Sequence, residues 1–243
     1  PLMKGMRRRC GGAFGETVPG GFFSPDEPPE LVTIDVSATE KAQVPKGRVS
    51  LPALKGLHID VITTGHREYG RIFTMVAEGP RKYAGEMETL FAEVETELRD
   101  HSIYRGKAVV GATNPSFIDL SGFNPREIVF SNDATELLKN TVWAPLAHAN
   151  DLRAEGVPLK RAVLLHGPYG TGKTSAGLVT ARLAETHGWT AVFARSGKDN
   201  IEDTLRTARL YQPAVVFIED IDNETSSGDT DKVSRLLEAL DGA

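Results

Sequence analysis

The stretch Gly167-Pro168-Tyr169-Gly170-Thr171-Gly172-Lys173-Thr174-Ser175 follows directly on the apolar run Ala162-Val163-Leu164-Leu165-His166. No other feature of the 243-residue chain restricts its fold as tightly. A strand has to enter this loop, and a helix starting near Gly172 has to leave it. Glycines at this density permit backbone angles closed to other residues and keep side chains away from whatever the loop encloses. Successive main-chain N–H groups can then point inward as an anion nest, to which the helix adds its positive N-terminal end. Gly-x4-Gly-Lys-Thr, from Gly167 to Thr174, therefore reads as a cradle for the phosphates of a nucleotide. Lys173 is expected to reach the β- and γ-phosphates, and Thr174 to set its hydroxyl on Mg²⁺. Chance gives this pattern roughly once in 100 chains of this length.

The flanking pattern fits. Strands are expected over 161–166, 189–195 and 214–218, and helices over 172–187 and 200–210. Such alternation indicates βαβ units and a parallel sheet. Val215-Val216-Phe217-Ile218 is apolar without alternation, as in a strand covered on both faces. It leads into Glu219, Asp220 and Asp222. Carboxylates at the C-terminal end of a parallel strand face the crevice where ligands bind. By position Glu219 takes the metal role and Asp220 the role of base toward an attacking water.

Upstream, Asp133 and Glu136 have capping-box spacing, which favours a helix over 134–143 interrupted or restarted at Pro145. Residues 31–120 read as a small α+β unit. Val32, Ile34 and Val36 alternate, as do Leu57, Ile59 and Val61, and Arg71–Ala77 forms a further strand beyond a hairpin tip. Tyr83, Met87, Leu90, Val94 and Leu98 form one apolar face of a helix of about five turns. Lys107–Val110 adds a short strand to this unit. Residues 1–30 hold six glycines and five prolines and are expected to be disordered or loosely draped.

Composition excludes more than it assigns. A net charge of −5 supplies no electrostatic reason to bind nucleic acid. Arg7, Arg8 and Arg9 form the only dense basic run and read as a solvated tail. The single cysteine, Cys10, cannot close a disulfide within the chain, which suits a reducing, cytoplasmic setting. No run approaches the roughly 18 apolar residues of a membrane helix. The six histidines lack metal-ligand spacing.

These residues resemble the AAA ATPase family. GPYGTGKT resembles its GPPGTGKT, with Tyr169 in place of a proline. GVPLKRAVLLHGP (156–168) and SRLLEALDG (234–242) resemble the segments before the loop and after the acidic pair. Within that family the residues resemble the subgroup of the mitochondrial translocase of the Rieske iron–sulfur protein and similar bacterial and phage ATPases. The resemblance implies a three-layer α/β P-loop NTPase core over 121–243, preceded by the smaller α+β domain. It also implies ATP and Mg²⁺ as ligands, and a ring of like subunits, usually six, that hydrolyses ATP to remodel a protein. Most members read Asp-Glu where this chain reads Glu219-Asp220. Threading members carry an aromatic loop where this chain has RSGKDNIED (195–203). In the family's 5-1-4-3-2 strand order the fourth strand, the sensor, the arginine fingers and the lid fall beyond residue 243. The chain is therefore expected to be part of a longer protein, with an incomplete core that hydrolyses ATP slowly at best. Two other readings remain open: a nucleotide-gated binding or assembly module, and a small-molecule kinase.

Overall fold

The computed structural model describes residues 30–50, 54–66, 70–195 and 197–219. The expectations for residues 1–29, for Asp220 and Asp222, and for the SRLLEALDG helix lie outside the described residues. The chain divides into two units between Ile103 and Tyr104.

In the first unit four strands form an antiparallel meander, β1 (Glu30–Asp35), β2 (Lys41–Ser50), β3 (His58–His66) and β4 (Gly70–Glu78). The register of β3 on β4 runs from His58 opposite Glu78 to His66 opposite Gly70, so the expected hairpin is present. Strand β2 is an addition to the sequence reading. Its composition, KAQVPKGRVS, hides it, because Pro45 and Gly47 break the apolar alternation. Helix α1 (Ala84–Asp100) buries Met87, Leu90 and Val94 against Leu57 and Ile59. At its last turn the inward position falls to Glu97, whereas Leu98, expected in the stripe, is exposed. The Glu97 carboxylate lies 3.2 Å from His101 Nδ1.

In the second unit the sheet order is β6-β5-β7-β8, with β5 (Ala108–Val110), β6 (Ser116–Phe117), β7 (Thr190–Phe193) and β8 (Ala214–Phe217). β5, β7 and β8 are parallel, and β6 runs antiparallel to β5. The Lys107–Val110 strand thus pairs with β7 and belongs to this sheet, not to the first unit. Three residues carry too little pattern to announce their partner.

Helices cover both faces of this sheet. Ala191 and Phe193 of β7 pack with Ala181 and Ala184 of helix α5 (Lys173–Thr186), while Val192 packs with Ala208 of helix α6 (Ile201–Leu210). This is the three-layer α/β arrangement expected for the nucleotide core. Helix α2 (Asn132–Leu138) begins earlier than the capping box suggested. Ser131 is its cap, accepting from Ala134 N at 3.3 Å, because Ser131 holds the extended backbone that a cap requires.

The chain widens into a π-type turn over Lys139–Trp143, then continues as the short helices α3 (Ala144–Ala147) and α4 (Ala149–Ala154). Pro145 has no N–H to give the carbonyl of Thr141 four residues earlier. Arg161 Nη1 approaches that carbonyl instead, at 3.4 Å.

One strand expectation needs correction. Residues 161–166 form no ladder, and Leu164 is 79% exposed. A strand exists through its hydrogen-bonded neighbour, and none flanks this segment among the described residues. β8 is covered on both faces, by Val215 and Phe217 toward α5 and by Ala214 and Val216 toward α6, but less completely than β7: all four of its residues are half-buried, whereas all four of β7 are buried.

Candidate nucleotide site

The loop and the first turn of α5 are built as the spacing requires. Gly170 and Gly172 both adopt positive φ, at 79° and 89°. At Gly172 the requirement is double. The left-handed backbone starts the helix, and an added Cβ would sit 3.3 Å from the Phe130 ring. No side chain caps α5. The N–H groups of its first turn have no carbonyl four residues back within the helix and are available to an anion.

Lys173 turns back over the loop. Its Nζ donates to the carbonyls of Gly167 (2.7 Å) and Pro168 (2.9 Å), which uses two of its three donors. The ammonium is thereby held over the loop by its own main chain. Thr171 Oγ1 donates to Pro168 O at 2.8 Å and braces the same turn. The Tyr169 ring is 93% exposed and lies 5.7 Å from Lys173 Nζ.

Thr174 Oγ1 donates to Glu219 Oε1. A hydroxyl and a carboxylate 45 residues apart in sequence therefore meet at the start of α5. Together they offer a hard cation two oxygen donors, a set that fits Mg²⁺ once phosphate oxygens and waters complete it. No group of three or more His, Cys, Asp or Glu side chains is placed to hold a metal among the described residues. Helix α5 is fixed behind the loop by Trp143, whose Nε1 donates to Thr180 Oγ1 at 2.9 Å.

Beyond Glu219 an open cleft of about 420 Å³ lies at the C-terminal ends of the parallel strands, lined by Val110, Phe193, Arg195, Lys198 and Glu219 among others. One wall carries an ion pair that sequence reasoning missed. Asp199 Oδ2 accepts from Arg195 N (2.7 Å) and Arg195 Nε (3.0 Å), and Oδ1 accepts from Arg195 Nη2 (3.1 Å). Burial alone would raise the Asp199 carboxyl. Hydrogen bonds from Arg195 and from the main chain of Arg195 and Ala112, with the guanidinium charge, outweigh it and hold the carboxyl below its usual range. Hydrogen bonding to Asp199 likewise raises the Arg195 guanidinium, against the effect of burial. The only sequence signal was opposite charges four apart, spanning a loop where that spacing carries no helical meaning.

Of the expected site residues, Gly167, Pro168, Thr171 and Lys173 are hydrogen-bonded to one another in the loop and Thr174 meets Glu219; Asp220 lies outside the described residues.

Residues 163–243 match the family described as ATPase family associated with various cellular activities (AAA). The chain is 34% identical over 122 residues to the ATPase family gene 2 protein of Saccharomyces cerevisiae, covering 44% of this chain and 16% of that protein. It is 31% identical over 121 residues to the 26S proteasome regulatory subunit 6B homolog of Dictyostelium discoideum, covering 42% and 29%. It is 26% identical over 184 residues to the proteasome-activating nucleotidase of Methanosphaerula palustris, covering 69% and 42%. The chain thus spans less than half the length of each of these relatives.

Proposed function

We propose that the chain, whose residues 163–243 match the AAA ATPase family, binds ATP with Mg²⁺ in the loop Gly167–Ser175 and hydrolyses it to remodel a protein. The observation that carries this reading is the meeting of Thr174 with Glu219 beside the loop.

The main-chain N–H groups of the loop and the first turn of α5 hold the phosphates. Lys173 neutralises charge that grows on the transferred group. Thr174 and Glu219 would hold Mg²⁺, which would supply charge neutralisation to the phosphates when bound. Asp220 orients or deprotonates the attacking water.

The names of two relatives, a proteasome regulatory subunit and a proteasome-activating nucleotidase, favour a protein substrate. The working form is a ring of like subunits, six by the family pattern, in the cytoplasm. Among the described residues no helix is long and apolar enough to cross a membrane. The chain taken alone turns over slowly, since arginine fingers, worth about 10³ to 10⁵ in rate, belong to the assembled ring.

Lys173→Ala tests the site. We expect ATP binding, read with a fluorescent analogue, to weaken at least about tenfold, and phosphate release to stop. Wild-type turnover in this variant removes the assignment.

A second reading, a nucleotide gate that binds without rapid turnover, is favoured by the order Glu219-Asp220. Single-turnover phosphate release within seconds rules it out.

A further inference from the structure

The ion pair on the cleft wall joins two parts of the chain that the sequence keeps apart. Strand β5 lies more than 50 residues upstream of the family match, yet its end is bonded into the loop that follows β7. Gly111 N donates to Phe193 O at 2.8 Å, and one strand over Ala194 N donates to Phe217 O at 3.0 Å. The parallel ladder is thus carried past the strand ends to within two residues of Glu219.

Asp199 closes this edge. Its side chain is only 5% exposed. Its carboxylate accepts from Arg195 through the main chain and both sides of the guanidinium fork, and also from the Ala112 main chain. The Ala112 carbonyl in turn accepts from Thr207 Oγ1 of α6 at 2.7 Å. The guanidinium lies directly over Gly111. A Cβ there would come within 2.6 Å of Arg195 Nη2, and Gly111 has φ +102°. Glycine is therefore required at that position both for the backbone and for the approach of Arg195.

We propose that Arg195 and Asp199, seated on Gly111 and Ala112, form a clamp that bolts strand β5 to the loop 195–200 and positions the cleft wall facing Glu219. Arg195 and Asp199 act here as positioning residues. Arg195 and Glu219 line the same cleft, so the clamp acts on the metal-binding end of the site and leaves the phosphate loop alone. This extension to nucleotide binding rests on the function proposed above, whereas the clamp itself does not.

The test uses the full chain with Asp199→Asn and Arg195→Lys. Asp199→Asn removes the negative charge, and Arg195→Lys keeps the positive charge but removes the guanidinium fork. Thr207→Val, which removes only the buttress on Ala112, serves as a third variant should either of the first two lose its fold. Amide hydrogen exchange is expected to quicken about tenfold in segments 108–112 and 195–200 together, with 176–186 unchanged. Loosening of 195–200 while 108–112 keeps its wild-type protection overturns the clamp.

The second readout is affinity for a fluorescent ATP analogue with and without Mg²⁺. The clamp variants are expected to bind several-fold more weakly in Mg²⁺ and like wild type in EDTA. Equal weakening in both, or none in either, overturns the positioning of the metal end. If the wild-type chain binds no nucleotide, the proposed function fails, and hydrogen exchange still decides the clamp.

Discussion

Strands β7 and β8 are the same length, parallel and directly paired, and read Thr-Ala-Val-Phe and Ala-Val-Val-Phe. Every residue of β7 is buried and every residue of β8 is half-buried. Apolar content does not explain the difference, since β8 has more of it. Position does. β7 has β5 on one side and β8 on the other, while β8 has only β7 among the described residues. Residues 162–165 extend the series: wholly apolar, unpaired among the described residues, and exposed at Leu164. Burial in this unit follows the number of strand neighbours, so three similar apolar runs occupy three different environments.

The sharpest way to break this comparison is to place the same charge in both strands. Val192 is fully buried, so a carboxylate there is removed from water. An unpaired buried charge costs several kcal/mol, on the scale of a domain's whole stability of about 5–15 kcal/mol. Val192→Asp is therefore expected to abolish cooperative unfolding of the second unit, as followed by denaturant melts. Val216→Asp, one strand over at the edge, should leave a measurable transition. Equal damage from the two would mean that β8 is as enclosed as β7.

A smaller effect tests whether the end of β7 is held by the clamp. Asp199 has its carboxyl lowered in the fold, so its contribution to stability is fully present above the unfolded value of about 3.9. That contribution is lost as pH falls through the lower folded value. Charge-assisted hydrogen bonds of this kind are worth roughly 1.5–3 kcal/mol. Asp199→Asn should therefore destabilise by about that much at pH 7 and at pH 5, with the gap from wild type narrowing only below about pH 4. A gap that stays constant down to pH 3 would show that the charge of Asp199 contributes nothing.

The legible parts of this chain were those written locally. Gly167–Ser175 carries its own turn, helix start and cation within nine residues, and the structure joins it to Glu219. Helices α5 and α6 and strand β7 fall within two or three residues of their expected bounds. What the sequence hid depends on distant partners. Residues 108–110 have too few positions to show which sheet they join. Ser131 and Asp133 are both good cap residues, and the backbone decides between them. Glu97 and Leu98 exchange places because a glutamate at the end of a helix can pack its stem inward while its carboxylate meets His101. The Arg195–Asp199 clamp needed the Gly111 backbone beneath it, 84 positions upstream of Arg195. Nothing near Arg195 in sequence announces that contact.

The smallest expected effect concerns residues 161–166 and carries the comparison to its end. Leu164 is 79% exposed, and surface substitutions away from special features change stability by about 0.5 kcal/mol or less. Leu164→Ser in this chain should fall within that range in urea melts. Truncating a leucine sandwiched between layers would instead cost about 2–5 kcal/mol. A loss of 2 kcal/mol or more would mean that the segment is covered in solution. Repeating the melt across protein concentrations then separates the two ways of covering it. A cost that grows with concentration indicates that another copy of the chain supplies the missing neighbour. A cost that does not change indicates that this chain covers Leu164 itself.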